Sequence, residues 1–129
     1  MRMIIMKFFK CETCGNIVTK INDAGVPLNC CGAVMKELIP GTSDGAHEKH
    51  IPAVTVNGSE VTVKVGEVEH PMLEAHFIQW IVLETKQGYQ IKYLKPGEKP
   101  EAVFCVADDD AAVAAYEYCN LHGLWVKEL

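Results

Sequence analysis

The sequence predicts an all-β chain in two parts, a small β unit stapled by a metal followed by an antiparallel sandwich or barrel. Three observations carry this. Cys11, Cys14, Cys30 and Cys31 crowd the first 31 residues, and both pairs are followed by glycine. Past residue 50, short β-branched and aromatic runs recur at fairly even spacing with turn residues between them. His47, His50, His70, His76 and His122, the five histidines, all follow residue 46.

The first part spans residues 1–39, with 1–5 an N-terminal extension because Met6 opens the first sensible strand. Its strand-like pieces are "KFFK", "NIVTK" and "AVMKEL", with "NDAG" as a turn. So few large apolar side chains cannot make an independent core, and the unit needs a metal to fold. Four thiolates from two knuckles suit zinc or a single iron, and Gly15 and Gly32 supply the tight turns that aim amides at sulfur. Disulfides or four buried thiols are the plainer alternative. The absence of an export signal favours reduced thiols. Adjacent Cys30 and Cys31 cannot form an ordinary two-residue knuckle, which predicts a distorted tetrahedron.

"IPGTSDGAHEKH" has no hydrophobic period and reads as a linker into the second part, residues 40–129. "IPAVTV", "EVTVKV", "HFIQWIVLET", "GYQIKYL" and "EAVFCVA" are its strands, divided by "NGS", "GEVEHP", "KQG" and "KPGEKP". "DDDAAVAAYEYC" is discordant, since its alanines favour helix, although pairing could make its second half a strand. Cys105 reads as a small buried strand residue and His47 as an ordinary exposed one.

Composition narrows the function. With 49% hydrophobic and 22% charged residues, the 129-residue chain is globular rather than disordered. A net charge of −5 argues against a general nucleic-acid or anionic-membrane binder, and no apolar run approaches the ~20 residues needed to span a bilayer. The expectation is a soluble cytoplasmic protein. A lone histidine is usually a satisfied surface or core residue. His50, His70, His76 and His122 nevertheless lie in turns or at strand ends, and the last completes a C-x2-H pair with Cys119. Four imidazoles and a thiolate make a five-coordinate site with an open sixth position, a set suited to redox-active iron. Two rivals stand beside this reading: a zinc-ribbon-like binding module, and a zinc hydrolase with Glu48 as general base. Catalytic zinc usually keeps three protein ligands and a water, which counts against both.

From about Met6 to Leu129 the chain resembles the desulfoferrodoxins, the two-iron superoxide reductases. The resemblance rests on "CETCG" with "CC", "EKHIP", "VEHPM" before "HFIQWI", "LKPGEKPEAVF" and "YCNLHGLW", in that order. It implies two irons per chain. Cys11, Cys14, Cys30 and Cys31 would hold a rubredoxin-like iron in a desulforedoxin-type domain. His50, His70, His76 and His122 would hold the catalytic iron in a plane, with Cys119 axial, on an immunoglobulin-like β-sandwich. The resemblance further implies one-electron reduction of superoxide to hydrogen peroxide, Glu48 as a sixth ligand in the oxidised state, and Lys49 near the substrate. It also implies a rubredoxin-like electron donor and a homodimer. The first iron is expected to be structural, with electron transfer optional.

Overall fold

The structure, a computed structural model, describes residues 6–41 and 47–129, without the side chains of residues 47 and 48. The part of the linker at 42–46 therefore lies outside the described residues, as do the proposed extension at 1–5 and the side chains of His47 and Glu48. The chain divides into two compact units, Met1–Ile39 and Pro40–Leu129.

The small unit is built from two-residue strands. β1 (Phe9–Lys10) lies between β2 (Ile17–Val18) and β5 (Lys36–Glu37), and β3 (Asn29–Cys30) pairs with β4 (Ala33–Val34). Among the described residues its buried apolar side chains are Phe8, Cys11 and Met35, too few to close a core.

The large unit is a β-sandwich preceded by one helical turn, α1 (His47–His50). One sheet has the order β10-β7-β6, from β6 (Pro52–Asn57), β7 (Glu60–Val65) and β10 (Glu101–Cys105). The other runs β12-β11-β8-β9, from β8 (Ile78–Thr85), β9 (Tyr89–Tyr93), β11 (Ala112–Cys119) and β12 (Gly123–Glu128). All pairings are antiparallel. Val61, Val63 and Val65 alternate inward from β7 and meet Ile81 and Leu83 of β8 and Phe104 of β10 in the core.

Two sequence expectations are corrected here. The alanine-rich stretch does not follow the helical preference of its alanines: the alternative, that pairing makes a strand of it, is realised, as β11 from Ala112. It is central in its sheet, hydrogen-bonded to β8 and β12 on its two edges, and small alanines at 114 and 115 fit where both faces are buried. Ladder pairing overrides a propensity worth a fraction of a kcal/mol per residue. Cys105 is exposed rather than buried, because the alternation of β10 turns Ala102 and Phe104 inward and leaves Val103 and Cys105 outside.

Candidate metal centres

In the small unit, the two knuckles are different turns. After Cys11, the Gly15 amide returns to the Cys11 carbonyl at 2.9 Å and the Cys14 amide points at the Cys11 sulfur at 3.4 Å. The second knuckle is a hairpin in which Cys30 pairs with Ala33 across Cys31 and Gly32. Both loop residues have positive φ, 54° and 76°, the requirement of a two-residue type I′ turn. Cys31 alone among the described non-glycine residues takes such a conformation. The adjacency of the two cysteines is thus accommodated by backbone strain at a functional site.

The sulfurs converge. Cys14 and Cys30 are 3.6 Å apart and Cys30 and Cys31 4.0 Å. A tetrahedron with metal–sulfur bonds of about 2.3 Å has edges of about 3.8 Å, so these separations fit one ion. The titration behaviour agrees. The Cys14 amide is the main cause that lowers the Cys11 pKa to about 6, whereas hydrogen bonding with Cys14, then Cys11, drives Cys31 up to about 12. Deprotonating all four requires a cation among them.

In the large unit, His50, His70, His76, Cys119 and His122 bring their ligand atoms within 4.8 Å of one another. The rings form a closed cycle in the order 50, 70, 76, 122, with neighbouring centroids 4.6 to 5.0 Å apart and planes crossed at 80° to 83°. Nε2 of His50 is 3.0 Å from Nε2 of His70 and 3.0 Å from Nδ1 of His122. One proton on His50 can serve only one of those contacts. A square of that edge has its centre about 2.1 Å from each corner, the length of a metal–imidazole bond. The donor set fits a metal ion, and the buried, unpartnered Nε2 of His76 completes it.

Each ligand has its own support. His70 Nδ1 lies 2.7 Å from the Pro71 carbonyl, which fixes the tautomer that leaves Nε2 free for a metal. Burial is the main cause that lowers the His70 pKa to about 4, so the ring stays neutral. Burial also lowers His76, with smaller contributions from His122 and the Lys49 charge. Trp125 stacks on His50 at 5.0 Å and donates from Nε1 to the His122 carbonyl at 2.9 Å.

The C-x2-H pair turns out to be a hairpin. Cys119 pairs with Gly123 across a three-residue loop, and Gly123 has φ +77°, the left-handed residue that closes such a loop. A register shift between Tyr118 and Cys119 re-aims the cysteine at the end of β11. Its thiol is fully buried and belongs to the core cluster, so sulfur approaches the nitrogens from the core side while His76 and His122 are half-buried. Burial raises the Cys119 pKa, opposed by amides of Leu121 and His122. A bound metal would supply the remaining stabilisation of the thiolate.

The structure brings together all nine proposed metal ligands in their two groups. Lys49 is exposed on α1, beside His50 in sequence. Sequence reasoning missed Glu117, fully buried with neither carboxylate oxygen partnered, and Asn120, described below. An acidic residue inside an otherwise apolar run was the available signal for the first.

Comparison with known proteins accords with this geometry. Residues 42–128 match the desulfoferrodoxin family profile, and residues 5–38 match that of the desulfoferrodoxin N-terminal domain. The desulfoferrodoxin of Nitratidesulfovibrio vulgaris is 51% identical over 124 residues, covering 95% of each chain. A desulfoferrodoxin homolog of Archaeoglobus fulgidus is 45% identical over 94% of this chain and 95% of its own. The crystal structure of the superoxide reductase from Treponema pallidum superposes with a TM-score of 0.82 at 41% identity, covering 97% of this chain and all of that one. A one-iron superoxide reductase from Giardia intestinalis gives a TM-score of 0.53 at 36% identity, over 64% of this chain and 99% of its own.

Proposed function

The chain belongs to the desulfoferrodoxin family and is an oxidoreductase of the superoxide-reductase type, with a four-cysteine iron site and a second iron site of four histidines and one cysteine; from that premise we propose how its own residues carry the reaction. The net change is superoxide plus one electron and two protons giving hydrogen peroxide. Ferrous iron in the histidine–thiolate site supplies, when bound, the electron.

The observation that carries the reading is the donor set itself: four imidazoles in a closed cycle with one buried thiol on their core side. Cys119 sits in an apolar core where a thiolate charge would be screened by little but a bound metal and two backbone amides. Cys119 would hold the iron through an electron-rich sulfur, which suits a site that gives away an electron. Substrate would approach from the side of the imidazoles away from Cys119. Lys49 is proposed to draw superoxide in, a role supported by its exposure and by the effect of its charge on His76. Glu48, on the family pattern, is proposed to close the open position after turnover.

The iron of the four-cysteine site is proposed to be mainly structural, with relay of electrons optional. That the one-iron Giardia protein covers about the length of the large unit supports this. The electron donor is proposed to be a small rubredoxin-like protein. A homodimer is proposed as well, supported by Ile21, Val26 and Val34 standing exposed on the small unit. A cytoplasmic location is proposed on the unpaired cysteines. No helix among the described residues is long and apolar enough to cross a membrane.

The test is stoichiometry. Reduced protein exposed to a superoxide pulse should yield one peroxide per superoxide and release no oxygen. Half that yield, with oxygen, would mark a dismutase and overturn the reading.

A further inference from the structure

We infer that Asn120 is the positioning residue for His76: its carboxamide ties the loop that carries this ligand to the hairpin that carries Cys119 and His122.

The contacts are specific. Asn120 Oδ1 accepts a hydrogen bond from the Phe77 amide at 3.0 Å, and Nδ2 donates to the Ala75 carbonyl at 3.1 Å. Residues 75 and 77 flank His76, so one side chain holds the backbone on both sides of the ligand. The Asn120 amide adds a third bond, to the Phe77 carbonyl at 3.3 Å. From within the loop, Leu73 and His76 exchange amide hydrogen bonds of 2.9 and 3.0 Å. Those bonds shape the loop but do not place it against the hairpin. Asn120 does both.

His76 needs this more than its neighbours. A metal-bound histidine usually fixes its ring by hydrogen-bonding the second ring nitrogen, as His70 does to Pro71. Among the described residues the His76 ring has no hydrogen-bond partner, and its Nε2 is buried without one. Among the described residues its orientation is left to the backbone and to the crossed His70 and His122 rings beside it. The side chain at 120 must also be an amide: an ionised aspartate offers only acceptors and would set an oxygen against the Ala75 carbonyl.

The inference rests on the iron reading of the histidine–thiolate site, and the experiment separates the two. Asn120→Ala and Asn120→Asp are prepared in the full two-iron chain. Iron release to a chelator, the ferric thiolate charge-transfer band, and hydrogen exchange at the Phe77 amide are measured. Asn120→Ala should release iron from the histidine–thiolate site roughly 10-fold or more faster, the usual scale for an outer-shell partner. Phe77 exchange should quicken and the ferric band should shift, while the absorption of the four-cysteine site stays at the parental value as an internal control. Asn120→Asp, which keeps only the Phe77 bond, should fall between. Parental release and a parental ferric band in either folded variant would overturn the assignment, as would equal acceleration at both sites. If the parent held zinc instead of iron, the functional reading would fail, and zinc release in the same variants would still judge Asn120.

Discussion

Replacing Glu117 by glutamine should stabilise the large unit, and increasingly so as pH rises. Glu117 is 0% accessible to solvent, and among the described residues both of its carboxylate oxygens lack a hydrogen bond. Burial raises its pKa well above the ordinary 4.5. The folded state therefore retains a proton that the unfolded chain releases, and stability contributed by the acid form is lost as pH climbs from 4.5 towards the folded value. Within that window each pH unit costs about 1.4 kcal/mol. Glutamine keeps the shape and burial and abolishes the slope. The difference in unfolding free energy between variant and parent should thus grow by up to about 1.4 kcal/mol per unit above pH 4.5, a urea-midpoint shift on the order of 1 M per unit for a domain this small. Trp80 and Trp125, the two tryptophans, both lie in the large unit, so their fluorescence follows its unfolding alone. Metal-loaded protein is compared at each pH, where the histidine ligands contribute the same slope to both chains. Parallel curves across about pH 5 to 8 would mean that the carboxylate ionises normally in the fold, and would refute the argument from burial.

Cys14→Ser should remove the absorption of the four-cysteine iron while leaving superoxide reduction largely intact, as metal analysis and activity of the one variant would establish. Loss of both together would show that the sites are not separable. Cys119→Ser should be the most damaging single change to activity and should eliminate the thiolate charge-transfer band of the histidine–thiolate iron, because a serine hydroxyl is a poor donor to iron; a parental rate in pulse radiolysis would disprove the axial role. Lys49→Ala should slow the bimolecular encounter with superoxide by roughly 10-fold or less and flatten its dependence on ionic strength, since steering is screened over a Debye length of about 8 Å at physiological salt. An unchanged salt slope would leave the metal's own charge as the attractor.

Much of the site was legible because metal ligands are chosen for chemistry, and chemistry survives in residue type and spacing. C-x2-C, CC and C-x2-H each mark a short turn that any fold must build locally. The strands of the large unit were legible for a similar reason, since Val61, Val63 and Val65 alternate with polar residues in plain view. β11 was not, because its identity depends on partners about 30 residues upstream in β8 and a few residues downstream in β12, which no local propensity encodes. β12 itself passed unremarked as the far arm of a hairpin whose turn looked only like a ligand motif. Asn120 was hidden for the same cause: its partners Ala75 and Phe77 are 45 and 43 residues away in sequence.

The two centres also relate to their folds in opposite ways. The small unit buries Phe8, Cys11 and Met35 among its described apolar side chains, and Cys11 is itself in the ligand group, so a bound ion would stand in for the missing core. The large unit has a core of its own, drawn from both sheets, and a site assembled at its edge by a bulge, two loops and one helical turn. Metal there is not required to hold the sheets together. Such a scaffold can keep four imidazoles and a thiol at fixed separation whether or not a metal is bound, and through any change in the oxidation state of one that is. The proposed division, with catalysis in the unit that has an independent core and the four-thiolate ion holding the other, follows from that difference in how each fold is held.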